Sequence, residues 1–204
     1  MKILAVGDIV GESGVKKLEE ILPKIKKEKD IDFVITNGEN SAGGMGITEK
    51  NFNNIIEAGT DAITMGNHTW GKKEMFKFID NPQLLRPANY PKGVPGKGLG
   101  IYEHNGKKIA VMNFMGRVDI NILTENPFIM ASEMVEELQE KVDIIIIDVH
   151  AEATAEKIAM ARYLDGKITI LFGTHTHVQT GDEQILPNGT GYITDLGMTG
   201  PKNS

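Results

Sequence analysis

Two histidines stand two residues apart in Gly173-Thr174-His175-Thr176-His177, directly after the apolar run Ile168 to Phe172. Four further apolar runs end in residues of the same kind. Lys2 to Val6 runs into Gly7-Asp8, Ile31 to Thr36 into Gly38-Glu39-Asn40, Ala62 to Met65 into Gly66-Asn67-His68, and Val142 to Ile147 into Asp148-Val149-His150. Carboxylate, amide and imidazole groups are the donors of nitrogen- and oxygen-ligated metal sites. Any one of them has an ordinary explanation: Asp8 as a helix cap or turn residue, Glu39 and Asn40 as shapers of a glycine-rich turn, Asn67 in a left-handed position, His68 as a structural histidine. Their common placement does not. Of the five histidines, four (68, 150, 175 and 177) follow apolar runs, and only His104 falls elsewhere, beside a turn where solvent exposure explains it. In open α/β sheets, ligands bind beyond the carboxyl ends of the strands. Six or seven donors exceed the needs of one tetrahedral zinc and suit two ions sharing a bridging carboxylate.

The elements that would hold these groups read as alternating strand and helix. Continuous apolar runs at 2–7, 31–36, 61–65, 142–149 and 167–172 suit strands covered on both faces. Between them lie helical patterns: one capped by Ser13, with a kink or break expected at Pro23; one from Thr48 with Gly59 as its stop; and Lys72 to Ile79, Ser132 to Lys141 and Thr154 to Leu164. Asn105-Gly106 between Gly98–His104 and Lys107–Phe114 predicts a type I′ hairpin, so the sheets are expected to be mixed. A last strand is expected at 191–194, residues 118–130 read as irregular, and the Pro- and Gly-rich stretch 86–100 reads as a functional loop. The order predicts an α/β protein, one domain over residues 1–204.

Composition excludes several classes. The chain has 204 residues, 40% of them hydrophobic, a net charge of −6 and no cysteine. There is no basic footprint for duplex nucleic acid, no thiolate ligand or nucleophile, and no apolar run long enough to span a bilayer. With the first strand beginning at Lys2, no signal peptide is expected, and a cytoplasmic protein is the simple reading. A dinucleotide-binding reading would rest on Gly7, Gly11 and Gly14, whose spacing is not Gly-x-Gly-x-x-Gly.

In order and spacing, Gly7-Asp8, Gly38-Glu39-Asn40, Gly66-Asn67-His68, His150 and Gly173-Thr174-His175-Thr176-His177 resemble the five metal-binding blocks of the calcineurin-like metallophosphoesterases. The closer resemblance is to the YmdB-type branch, regarded as 2′,3′-cyclic-nucleotide 2′-phosphodiesterases. It extends through Asn37-Gly38-Glu39-Asn40, Ala62 to Trp70, Arg86-Pro87-Ala88-Asn89 and Thr194 to Pro201. Two departures from the superfamily, Val10 where Asp-x-His has its histidine and Glu39 where the bridging aspartate stands, are shared by that branch. Its members run some tens of residues past Pro201, so either a terminal strand or two is absent or that segment is not represented in this sequence.

The resemblance implies a layered αββα sandwich of two mixed β-sheets flanked by helices. It assigns one ion to Asp8, Glu39, Asn40 and His177 and the other to Glu39, Asn67, His150 and His175, favouring iron or manganese with zinc compatible. It implies metal-hydroxide attack on the phosphorus of a 2′,3′-cyclic, or also a 3′,5′-cyclic, nucleotide, with unligated His68 as the catalytic acid or electrostatic stabiliser. Arg86, Asn89 and Arg117 are candidate substrate contacts, and Glu152 is placed to orient a ligand. A small cyclic nucleotide or phosphodiester is thus the expected partner, with a homo-oligomer compatible. The alternative is a metal-bound regulatory or scaffold protein with weak or vestigial phosphoesterase activity.

Overall fold

A computed structural model describes residues 1–201. The elements in order are β1 (Ile3–Val6), β2 (Asp8–Ile9), α1 (Gly11–Lys29), β3 (Phe33–Asn37), α2 (Glu49–Glu57), β4 (Ala62–Thr64), a 3₁₀ turn (Lys73–Lys77) and β5 (Leu84–Leu85). They continue with β6 (Leu99–His104), β7 (Lys107–Met115), α3 (Pro127–Leu138), β8 (Ile144–His150), α4 (Thr154–Tyr163), β9 (Ile170–Thr174), β10 (Gln184–Ile185), β11 (Gly191–Ile193) and β12 (Met198–Thr199).

Of the twelve described strands, β2 and β12 pair as a separate two-stranded ladder and the other ten form two facing sheets. One has the order β1-β3-β4-β5 with every pairing parallel; the other has the order β10-β11-β9-β8-β7-β6. The second is mixed as expected, with antiparallel β6–β7 and β10–β11 ladders around a parallel centre. The first carries no antiparallel strand, because each of its connections crosses over and returns in the same direction. The layers follow from which side chains are apolar. Phe33, Ile35 and Leu85 meet Ile109, Val111, Ile146 and Phe172 between the sheets. The outer face of the first sheet packs Val34, Ile63 and Leu84 against Val15, Leu18 and Leu22 of α1 and Phe52 and Ile55 of α2. The outer face of the second packs Met112, Phe114, Ile147 and Val149 against Val135 of α3 and Met160 of α4. The result is αββα.

Local differences from the sequence reading have local causes. Helix α1 begins at Gly11, two residues before Ser13, with Val10 in the cap position and no side-chain cap; the Gly11 N–H is satisfied by the Asn40 carbonyl at 2.9 Å. The helix also runs through Pro23 unbroken. Its ring lies on the exposed side, and burying Val15, Leu18 and Leu22, at about 1.5–3 kcal/mol each, outweighs the roughly 3 kcal/mol a helical proline costs. Helix α3 starts at Pro127, inside the stretch read as irregular, because the Asn126 side chain accepts from the N–H groups of Phe128 (2.9 Å) and Ile129 (3.4 Å). The segment after Gly71 makes only a 3₁₀ turn, ended where Phe78 takes φ −133°. At the hairpin, Asn105 and Gly106 both have positive φ (50° and 72°), as a type I′ turn requires.

All strands of the parallel sheet and the parallel centre of its partner release their carboxyl ends at one rim. In register, Met115 lies beside His150 and His150 beside Thr174. Across the rim, β12 pairs with β2, setting Met198 opposite Asp8. Among the described residues no helix is long and apolar enough to cross a membrane.

Candidate metal centre

Each of the seven expected ligands stands at this rim. Asp8 opens β2, Glu39 and Asn40 follow β3, Asn67 follows β4, His150 closes β8, and His175 and His177 follow β9. Asp8, Glu39, Asn40 and His150 are at most 2% exposed.

The tightest convergence is on His150. Its Nε2 lies 2.9 Å from Asn67 Oδ1, 3.0 Å from Glu39 Oε1 and 3.0 Å from His175 Nδ1. One ring nitrogen carries at most one proton and cannot serve three acceptors. Donors about 2.1 Å from a common cation and at right angles to one another sit about 3 Å apart, which is the observed spacing. Glu39, His150 and His175 together form a group able to hold an ion. The other end of His150 is fixed as well: Thr174 Oγ1 donates to Asp148 Oδ1 at 2.8 Å, so Thr174 accepts the Nδ1 proton of His150 at 2.9 Å. That relay leaves the Nε2 lone pair of neutral His150 facing the cluster.

The second half of the cluster is looser. His177 Nε2 lies 3.7 Å from Asp8 Oδ1, and Asn40 Nδ2 lies 3.1 Å from His177 Nε2, 3.2 Å from Glu39 Oε1 and 3.5 Å from Asp8 Oδ1. Here the structure differs from the expectation: the Asn40 amide turns its NH₂ into the cluster and gives its oxygen to His68 Nδ1 at 2.8 Å. An NH₂ group between two carboxylates and an imidazole occupies the position of a cation and makes the contacts a positive charge would make. The donor set therefore fits an ion on this side once the amide makes a half turn. His68, about a third exposed, also donates its backbone N–H to Glu39 Oε2 at 3.0 Å.

Electrostatics agree with a cation site. Burial pushes the Glu39 carboxyl up, but the charge and hydrogen bond of His150 and the His68 N–H pull it down to about 2. Burial raises Asp8, with Glu39 adding to that and His150 opposing it. Burial disfavours the His150 cation, yet Glu39, Asp8 and Asp148 raise it to about 9. Burial and the neighbouring His150 lower His175 to about 4. Three carboxylates raising one buried imidazole mark a concentration of negative charge that a bound cation would offset.

Backbone geometry is specialised around the cluster. His175 and His177 both have positive φ (100° and 62°), a conformation costing on the order of 1–3 kcal/mol each in a non-glycine residue. Gly66 is required where it stands, because a Cβ there would collide with the His150 ring and Glu39 Oε2.

The expected substrate contacts divide. Glu152 sits 3.1 Å from His175 Nε2, placed to orient that ring. Arg117 is exposed just beyond β7. Arg86 lines a cavity of about 570 Å³ with Tyr90, Lys92 and Asn126, but its guanidinium is turned inward: Nε donates to Pro95 O (2.9 Å), Nη1 to Pro87 O (2.7 Å) and Nη2 to Val94 O (3.0 Å). Asn89 is likewise engaged, donating to Met115 O (2.8 Å) and Glu125 O (3.2 Å) and accepting from Met115 N (2.9 Å). In this structure both support the loop, because a loop without regular structure needs partners for its backbone groups. Sequence reasoning missed Asp148 and Thr174 behind His150, and the Lys157–Asp195 pair beneath the His175–His177 loop. Asp148 is legible as a carboxylate inside an apolar run; the other residues give no signal.

An αββα sandwich with carboxylates, amides and imidazoles gathered at the carboxyl rim of both sheets defines a metallophosphoesterase-type phosphoric ester hydrolase. The family model described as "YmdB-like protein" matches residues 4–204, and the chain belongs to that family. It is 52% identical over 202 residues to a Bacillus subtilis (strain 168) protein named 2′,3′-cyclic-nucleotide 2′-phosphodiesterase, covering 98% of this chain and 76% of that one. Two crystal structures share the fold closely. A hypothetical protein of Thermus thermophilus superposes with a TM-score of 0.95 at 42% identity, covering 100% of this chain and 79% of the other. A novel phosphatase of Mycoplasma pneumoniae gives 0.91 at 38%, covering 97% and 72%.

Proposed function

We propose that the chain is one catalytic domain that hydrolyses cyclic nucleotides, 2′,3′-cyclic and also 3′,5′-cyclic, at a two-ion centre. The observation that carries the two-ion reading is Glu39. Its Oε1 faces His150 Nε2 at 3.0 Å on one side and the Asn40 amide at 3.2 Å on the other, so one carboxylate borders two donor groups. Glu39, Asn67, His150 and His175 hold one ion, and Asp8, Glu39, Asn40 and His177 the other. The donor set, all nitrogen and oxygen, is compatible with iron or manganese and with zinc. When bound, such a pair activates water and offsets charge on the phosphoryl group.

The chain's own residues do the rest. In hydrolysis the bond from water oxygen to phosphorus forms, the bond from phosphorus to a ribose oxygen breaks, and that oxygen needs a proton. With Asn40 turned to offer Oδ1 to an ion, its NH₂ faces His68 Nδ1 across the same 2.8 Å contact. Nδ1 is then an acceptor and Nε2–H faces the leaving group as a hydrogen-bond donor; proton transfer to the leaving oxygen requires the imidazolium, so His68 serves as acid when protonated and as electrostatic stabiliser when neutral. His68 is the general acid, Asp148 and Thr174 hold the His150 tautomer, and Glu152 orients His175. A cysteine-free chain of this kind suits the cytoplasm.

The experiment is turnover by metal-replete protein of 2′,3′-cyclic AMP, 3′,5′-cyclic AMP and bis(p-nitrophenyl) phosphate. Hydrolysis of the first is expected; failure on all three overturns the proposal.

A further inference from the structure

Beneath the His175–His177 loop, Lys157 of α4 and Asp195 make an ion pair of 2.7 Å, at 0% and 1% exposure. Two buried charges gain little stability over an apolar pair of similar volume. What the pair holds is more informative. The Asp195 Oδ2 that meets Lys157 also accepts from Thr176 Oγ1 at 2.8 Å and Thr176 N at 3.3 Å, and Oδ1 accepts from Gly197 N at 2.7 Å. Asp195 is tied to the same loop through its backbone, where Thr180 N donates to its carbonyl at 3.1 Å and its own N–H donates to Thr180 Oγ1 at 3.0 Å. Thr176 is the single residue between the two histidines, both of which have positive φ. On one side His175 turns to His150; on the other His177 turns to Asn40 and Asp8.

We propose that Asp195, neutralised by Lys157, is a positioning residue for the metal centre: by fixing Thr176 it makes His175 and His177 diverge toward different ions. The proposal rests on the two-ion reading above. Lys157 allows an ionised, multiply accepting carboxylate in a dry site, and Asp195 supplies the acceptor that no apolar residue could.

Two double variants of the full chain separate positioning from stability. K157M/D195N keeps an acceptor oxygen facing Thr176; K157M/D195L keeps volume alone. K157M/D195L should unfold at the lower temperature, because the Thr176 and Gly197 donors lose their acceptor, so Mn²⁺ affinity of folded protein is the readout. With Mn²⁺ as the probe in equilibrium dialysis, K157M/D195N should stay near the wild-type affinity, whereas K157M/D195L should lose on the order of 10- to 100-fold. In the metal-free proteins, the Thr176 amide should exchange faster in K157M/D195L only. Equal Mn²⁺ affinity in both doubles and wild type, or equal loss in both, overturns the proposal. Should the doubles fail to fold, Thr176→Val keeps the ion pair and removes the hydroxyl. Weaker Mn²⁺ binding at unchanged unfolding temperature supports the proposal, and unchanged binding overturns it. Wild-type protein that binds only one Mn²⁺, or none, defeats the two-ion reading instead, and exchange at Thr176 then decides whether Asp195 orders the loop.

Discussion

His68 Nδ1 and Asn40 Oδ1 are 2.8 Å apart, so one amide touches both the proposed acid and the ion cluster. On the proposed two-ion reading, loading an ion on the Asp8 side would reverse that amide and turn His68 Nδ1 from donor to acceptor. Acid and centre are therefore coupled through one side chain.

His68→Ala should leave both ions in place and lower turnover of 2′,3′-cyclic AMP by about 10²- to 10⁴-fold, the usual contribution of a positioned acid. Bis(p-nitrophenyl) phosphate, whose leaving group departs without a proton, should lose far less. Steady-state kinetics on the two substrates, with metal analysis of the same sample, checks the pair of outcomes. An equal drop on both substrates contradicts the acid role.

The two histidines of the β9 loop should part company. His177→Ala should empty mainly the site of Asp8 and Asn40, and His175→Ala mainly that of Asn67 and His150. Metal counting and the electron paramagnetic resonance spectrum of Mn²⁺-loaded protein distinguish them. Loss of the same single ion in both variants would show that the loop serves one site.

Gly66→Ala tests the cradle between β4 and β8. The added methyl would occupy the space between the His150 ring and Glu39 Oε2, so metal content should become substoichiometric and turnover should fall by about 100-fold, the scale for a misplacement of an ångström. Wild-type metal content and activity would mean that the rim yields more easily than its packing indicates.

Arg86→Ala should act on the fold. Its guanidinium serves backbone carbonyls of the 86–98 loop, and removing it leaves them without partners, at roughly 1–3 kcal/mol in urea unfolding. KM for 2′,3′-cyclic AMP should change little in protein that remains folded. A large KM effect with unchanged stability would restore Arg86 as a substrate contact.

The strands at the heart of the site were legible because both faces of each are buried, so Val34, Ile35, Ile146 and Leu171 stand in unbroken apolar runs whose ends can be read directly. The two-residue strands β5, β10 and β12 carry no period and exist only because a neighbour offers a ladder. Helix α3 starts at Pro127 rather than at Ser132 because the Asn126 side chain caps it, inside a stretch that reads as irregular. At the centre, residue types revealed which groups converge but not which way an amide turns. The orientation of Asn40 depends on His68, Glu39 and His177 together, and that of Arg86 on carbonyls up to nine residues away. Lys157 was indistinguishable from any other helix lysine, since only the fold brings Asp195 beneath it.

The pairing of β12 with β2 gives Asp8 a neighbour 190 positions along the chain. The close contact of Gly7 with the Gly197 carbonyl fastens the same junction. During synthesis, a chain that has emerged only as far as β9 and its histidine loop already carries every donor but lacks the segment that seats Asp8 and, through Asp195, the histidines themselves. On the two-ion proposal, the donors reach their final places only once β12 has paired with β2 and Asp195 lies under the histidine loop.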